Sequence, residues 1–200
     1  MRVSGAALRK FAGDEVRFLR SLLARPGKVG AIAPSSPALA RAIAAAADPA
    51  RPGLLLELGP GTGVVTRALI RHGFAEERIV AIEYDPDLAA LVGKRFPRVR
   101  VIRGDAFDLQ RTLGPVSGEL FAAIVSGLPL LNRPLAQRRA LIDAALDLLA
   151  PGAPFIQFSY GLWPPVRAND RMHVRHAARV LANLPPANVW AYESAARGST

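Results

Sequence analysis

Hydrophobic positions follow two rhythms along the chain. Over residues 6–23, Leu8, Phe11, Ala12, Val16, Phe18, Leu19, Leu22 and Leu23 recur at three- and four-residue steps, which predicts an amphipathic helix stopped by Pro26-Gly27. A second helix is predicted from Ser35-Ser36-Pro37, a serine cap followed by proline in the first turn, to about residue 47. Beyond the loop at 48–53, short apolar runs alternate with helical patterns. Strands are predicted at 53–58, 78–83, 99–103, 120–126 and 153–160, with helices at 62–72, 86–96 and 134–149. This alternation is the signature of a parallel sheet covered by helices on both faces. Residues 174–183 and 189–193, joined by Leu184-Pro185-Pro186, read instead as an antiparallel hairpin at the sheet edge. The predicted architecture is an α/β, mostly parallel seven-stranded sheet with an antiparallel C-terminal hairpin and an N-terminal helical extension.

Composition narrows the picture. Two hundred residues, 50% of them hydrophobic, suffice for one well-cored domain and are few for two. The absence of cysteine excludes disulfides, thiolate nucleophiles and cysteine-ligated zinc. His72, His173 and His176 have no metal-ligand spacing with acids, so no metal is expected. The formal net charge of +10 favours polyanionic surfaces such as nucleic acid or an anionic membrane. It is concentrated at the start of the chain, where seven basic residues between Arg2 and Lys28 face only Asp14 and Glu15. No apolar run is long enough for a secretory core or a membrane span, so a soluble or peripheral protein is expected.

The chemistry-bearing motif is Glu57-Leu-Gly-Pro-Gly-Thr-Gly63, between the strand at 53–58 and the helix at 62–72. Gly59, Gly61 and Gly63 form a turn that lets backbone approach a ligand at a helix start. The spacing is not that of a dinucleotide fingerprint, and three spaced glycines alone equally fit an ordinary tight turn. Glu57 adds the discriminating feature. A phosphate site avoids an acid there, whereas S-adenosyl-L-methionine presents an ammonium and a sulfonium. Glu83, closing the strand at 78–83, is placed to accept both ribose hydroxyls. Asp105, in Arg103-Gly-Asp-Ala-Phe107, is placed to accept the adenine amino group, with Tyr84, Ala106 and Phe107 beside these acids. Each acid singly is as readily a solvated carboxylate; three at successive strand ends beside a glycine turn point to a cofactor site. A nicotinamide-dependent oxidoreductase is the alternative, disfavoured by Glu57 and by the lack of a hydride-transfer acid/base pair.

The strand at 120–126 ends in Ser126-Gly-Leu-Pro-Leu130. Methylases of nucleobase amino groups carry Asn or Asp, Pro and then a stacking aromatic at this place. This chain has Ser126 first and Leu130 last, without the ring. Together with the amphipathic start, Val29-Gly-Ala-Ile-Ala-Pro-Ser-Ser-Pro37, Gln157-Phe-Ser-Tyr-Gly161 and Asn183-Leu-Pro-Pro-Ala187, these segments resemble the bacterial phospholipid N-methyltransferases of the peripheral-membrane type. These are Rossmann-like class I methyltransferases related to the ribosomal RNA adenine dimethylases.

The resemblance implies S-adenosyl-L-methionine as methyl donor, S-adenosyl-L-homocysteine as product, and methylation of phosphatidylethanolamine and its mono- and dimethyl forms towards phosphatidylcholine. It implies a catalytic domain over residues 26–200 and a membrane-binding helix over residues 1–25, with the protein at the inner face of the cell membrane. A monomer with a phospholipid substrate and no nucleic-acid partner is expected. Tyr160 is the candidate for facing the amine, with Ser126 and the Gly127 carbonyl orienting it and Tyr84 and Trp163 as further aromatic candidates. Ser35, Ser36 and Ser126 join the cofactor residues, although Ser36 equally reads as a helix cap, Tyr160 as a core tyrosine and Ser126 as a packing residue. Arg133, Arg138, Arg167, Arg171 and Arg175 are candidates for the lipid phosphate. An RNA adenine or small-molecule amine methyltransferase, or a basic binding module without activity, are the alternatives.

Overall fold

The computed structural model describes residues 36–114, 118, 120–183 and 185–195, all within the unit Pro34–Thr200. The amphipathic segment at 6–23, the boundary at residue 25, and Ser35 lie outside the described residues.

Helix α1 (Pro37–Ala45) begins where its sequence signals it: the Ser36 hydroxyl accepts from the Leu39 amide at 3.2 Å and Pro37 occupies the first turn. Its buried Leu39, Ala40, Ile43 and Ala44 pack against α2 (Val64–His72), which follows strand β1 (Leu55–Leu58). A single 3-10 turn leads into β2 (Ile79–Glu83). Helix α3 (Pro86–Arg95) is capped by Asp85, whose carboxylate accepts from the Asp87 and Leu88 amides. Strand β3 (Arg100–Arg103), helix α4 (Leu109–Leu113), strand β4 (Ala123–Ser126), helix α5 (Leu135–Asp147) and strand β5 (Phe155–Ser159) complete the alternation. Strands β6 (Met172–Val180) and β7 (Ala187–Ser194) form the hairpin.

The seven strands lie in the order β3-β2-β1-β4-β5-β7-β6, with β1 to β5 parallel and both hairpin pairings antiparallel. Strands β1, β2, β4 and β5 are buried along their whole length, as strands covered on both faces must be. One face carries a continuous apolar cluster from Leu56 and Val80 through Phe121 and Phe155 to Tyr192. The Tyr192 ring meets Phe155 edge-on at 5.9 Å and its hydroxyl accepts from the Val166 amide, which ties the loop after β5 to the hairpin.

Element boundaries differ from the sequence reading where side chains take over backbone pairing. Strand β6 stops at Val180 and not at residue 183, because the Asn183 carboxamide donates to the Pro185 carbonyl and builds the turn itself. Strand β4 starts at Ala123; Phe121 forms an isolated bridge with Leu149 instead. Helix α4 was not expected, since five residues hold too little periodicity to see.

Candidate functional site

Sequence order reverses between β1 and β4: β2 and β3 lie to one side of β1, β4 and β5 to the other. Such a reversal opens a crevice at the C-terminal strand ends, where open α/β sheets bind ligands. The glycine turn fills the near side of it. Gly59, Gly61 and Gly63 all adopt positive φ, at 69°, 56° and 78°. A Cβ on Gly61 would meet nothing within 4 Å, so this part of the turn faces open space. Gly127 is the opposite case. Its amide donates to the Leu58 carbonyl at 2.8 Å, and a Cβ there would lie 2.6 Å from the Gly59 carbonyl oxygen. The end of β4 therefore rests backbone to backbone against the glycine turn, with no room for a side chain.

Glu57 lies within β1, 1% exposed, and accepts from the Thr66 hydroxyl at 2.7 Å. Burial pushes its carboxyl up to about 7, the Thr66 hydroxyl opposes that rise, and the nearby Glu83 charge adds to it. Glu83 at the end of β2 is clasped onto the same turn: one carboxylate oxygen accepts from the Gly61 amide and the other from the Asp85 amide, both at 3.0 Å. Each oxygen keeps a second lone pair for a hydroxyl donor. Two acids around an open glycine turn suit a cationic ligand bearing a diol, which is the donor set S-adenosylmethionine requires.

Asp105 is exposed after β3, where its carboxylate accepts from the Phe107 amide at 2.8 Å and shapes the loop. Ala106 is buried. Phe107 is half-buried beneath the Arg133 guanidinium, 4.7 Å from the ring centroid. This cation–π contact ties the β3 and β4 loops together and draws Arg133 to the cofactor side. Tyr84 stands 76% exposed beside Glu83.

Across the crevice, Ser126 is buried and its hydroxyl accepts from the Leu128 amide at 3.3 Å. Tyr160, half-buried just beyond β5, packs edge-on against Phe158 and faces the Asn183 carboxamide. Burial raises its phenol further above the usual range and Asn183 counteracts this, so the hydroxyl is protonated at neutral pH. Asn183 also accepts from the Ser36 amide at 3.2 Å, joining the start of α1 to the β6–β7 turn. Ser36 itself spends its hydroxyl on the helix cap.

Three contributors lacked any role in the sequence reading. Thr66 partners Glu57 from the first turn of α2, Asn183 links three elements, and Gln157 of β5 pairs in register with Ser126. The Gln157 amide donates to the Leu128 and Phe158 carbonyls at 3.0 and 2.8 Å, fixing the loop after β4. The segment Gln157-Phe-Ser-Tyr-Gly161 is visible in the sequence, but the reach of the Gln157 side chain to Leu128 is not.

The arginines separate sharply. Arg138 donates to the carbonyls of Arg133, Leu131 and Pro165 and is a staple between loops. Arg171 pairs with Asp143 and Asp147 just before β6, at the end of the sheet away from the glycine turn. Arg175, early in β6, lies 3.8 Å from Glu193. Arg138, Arg171 and Arg175 are thus engaged within the fold, whereas Arg133 lies over Phe107 and Arg167 is exposed after β5.

Comparison with known proteins agrees with this geometry. Residues 55–152 match a family described as a methyltransferase domain. Over 185 residues the chain is 30% identical to an ornithine lipid N-methyltransferase of Singulisphaera acidiphila, covering 88% of this chain and 94% of that one. It is 43% identical over 98 residues to ribosomal RNA small subunit methyltransferase A of Methylococcus capsulatus, a match covering 46% of this chain and 35% of that one. Among solved structures, an O-methyltransferase from Bacillus cereus in complex with SAH superposes with a TM-score of 0.59 at 19% identity, covering 90% of this chain and 89% of that one. A TehB-like SAM-dependent methyltransferase from Corynebacterium glutamicum gives 0.58 at 16% identity, covering 94% and 100%. Likeness at these identities is one of fold.

Proposed function

Because the chain belongs to the class I S-adenosylmethionine-dependent methyltransferases, we propose that its methyl acceptor is the amine of a lipid headgroup, that of phosphatidylethanolamine and its partly methylated forms, at a membrane surface. The observation that carries this reading is the end of β4. Gly127 packs backbone to backbone on the glycine turn, and Leu130, buried in the core, offers no ring on which a base could stack. A planar base lacks a stacking platform there, whereas an alkylamine needs none. Similarity to an ornithine lipid N-methyltransferase over nearly its whole length supports a lipid amine, and makes ornithine lipid the second reading.

The cofactor contributes a methyl group activated on a sulfonium. In this reading Glu57 draws the cationic methionine end towards the glycine turn, Glu83 accepts the ribose hydroxyls, and Asp105 with Phe107 takes the adenine. The acceptor amine must arrive with its lone pair free. An alkylammonium has a pKa of roughly 10, so only about one molecule in a thousand is neutral at pH 7. A desolvated crevice beside a cation favours the neutral form. The Gly127 carbonyl accepts one amine N–H, and Tyr160, protonated at neutral pH, offers its ring to the methylammonium that forms. Ser126 holds the loop through the Leu128 amide. Among the described residues no helix is long and apolar enough to cross a membrane. We assign attachment to the basic amphipathic segment at 1–25, each basic residue adding roughly 1 kcal/mol at an anionic surface.

The test is incubation with labelled methyl donor and three acceptors: anionic vesicles containing phosphatidylethanolamine, vesicles containing ornithine lipid, and ribosomal RNA. Label is expected in the phosphatidylethanolamine extract. Label in ornithine lipid alone moves the acceptor to the second reading, and label confined to RNA ends both.

A further inference from the structure

Seven large apolar side chains are exposed among the described residues, and their distribution is uneven. Tyr84, Leu131, Leu135, Leu162, Trp163 and Leu181 follow the C-terminal ends of parallel strands or lie in the β6–β7 turn, and Leu120 belongs to the opposite end. Leu162, Trp163 and Leu181 are 69%, 72% and 71% exposed. They stand on loops that hold together. Arg138 bridges the Leu131 and Pro165 carbonyls, the Asn188 carboxamide donates to the Gly161 carbonyl at 2.9 Å, and a Cβ on Gly161 would lie 3.9 Å from Leu131. The three loops form a braced apolar rim beside Ser126 and Tyr160.

Arginine supplies the charge of these loop segments, and the next acids along the chain, Asp143 and Asp170, lie beyond them. Residues 127–142, 160–169 and 176–188 contain Arg133, Arg138, Arg139, Arg167 and Arg179 and no aspartate or glutamate. Exposed apolar groups ringed by arginine, with a tryptophan among them, match the chemistry of an anionic lipid surface, whose headgroup layer takes both an amphipathic ring and cations. We propose that this rim is a membrane-docking surface of the folded domain. Leu162, Trp163 and Leu181 enter the boundary between headgroups and acyl chains, while the exposed Arg139, Arg167 and Arg179, with Arg133 beside Phe107, meet lipid phosphates. The proposal rests on the lipid-amine reading and extends it: the acceptor reaches the crevice without leaving the leaflet.

The full chain and its Leu162→Ser/Leu181→Ser variant are compared on vesicles of phosphatidylethanolamine and phosphatidylglycerol. Both substitutions replace exposed side chains, so folding is retained and cofactor-product binding reports on it. Partition is expected to fall by about tenfold or more, with the rate on vesicles falling alike. Methylation of a dispersed short-chain phosphatidylethanolamine stays within about twofold of the unaltered protein. Tryptophan emission of the unaltered protein shifts to the blue on vesicle addition, and Trp163→Phe abolishes the shift. Unchanged partition together with an unmoved emission overturns the rim, as does a variant that turns a dimer into a monomer without altering vesicle binding. Failure of the unaltered protein to methylate either lipid form ends the lipid-amine reading instead, so the two failures are distinct.

Discussion

At Glu57 the fold holds a proton that the unfolded chain would release. Its carboxyl titrates at about 7 against 4.5 when solvated, because burial outweighs the Thr66 hydroxyl. Below pH 4.5 folded and unfolded chains both carry the proton. Between 4.5 and 7 the unfolded chain has lost it, so folding stability falls as pH rises, by about 1.4 kcal/mol per unit, and levels off above 7. Denaturant unfolding across this range should show that slope in the difference between the unaltered protein and Glu57→Gln. The ionised form is the one that attracts a cation, so affinity for S-adenosylhomocysteine should rise roughly tenfold from pH 6 to pH 8 and flatten in the variant. The acids of the site were legible because apolar runs mark where strands end, and Glu57, Glu83 and Asp105 each sit at or near such an end. Their partners were not. Glu57 meets Thr66 nine residues on, Gln157 reaches a carbonyl 29 residues away, and Asn183 an amide 147 residues away. No local pattern encodes such pairings, since the fold alone brings them together.

Whole elements were read more reliably than their ends. Caps are local chemistry, so Ser36-Pro37 and Asp85-Pro86 announce α1 and α3 directly. Helix α4 escapes notice, and α5 ends at Asp147 and opens on an exposed Leu135. What fixes the loops between elements is Arg138 on α5, through carbonyls at 2.7, 2.9 and 3.3 Å. A guanidinium fork suits three divergent acceptors and an ammonium does not. Arg138→Ala should lower unfolding free energy by about 2 kcal/mol, and Arg138→Lys should recover less than half of it, both measured from denaturant midpoints.

For the molecule as a whole, the reversal of strand order places Glu57, Glu83 and Asp105, the proposed cofactor acids, on the β1–β2–β3 side and Ser126 and Tyr160, the proposed acceptor residues, on the β4–β5 side. The alternation of strands and helices was legible in the sequence; the strand order and the braced rim were not, because both depend on contacts between segments far apart in the chain. The net charge of +10 acts at this scale too. The screening length falls from about 10 Å at 0.1 M salt to about 3 Å at 1 M. Vesicle partition should therefore weaken steeply over that range in a sedimentation assay, while cofactor-product binding, made in the crevice, changes little.

The two outer strands give the arginine-rich composition another consequence. Among the described residues, strands β3 and β6 each leave one row of backbone amides and carbonyls without a neighbouring strand, and such rows template the addition of foreign strands. Exposed Arg100 and Arg103 bracket β3, exposed Arg175 and Arg179 stud β6, and the register of β6 slips between His176 and Ala178. Like charges spaced along both margins, and a kink in one of them, repel a second copy approaching edge to edge. Resistance to fibril-like stacking at high concentration is thus written into the same residue type that gives the chain its net positive charge.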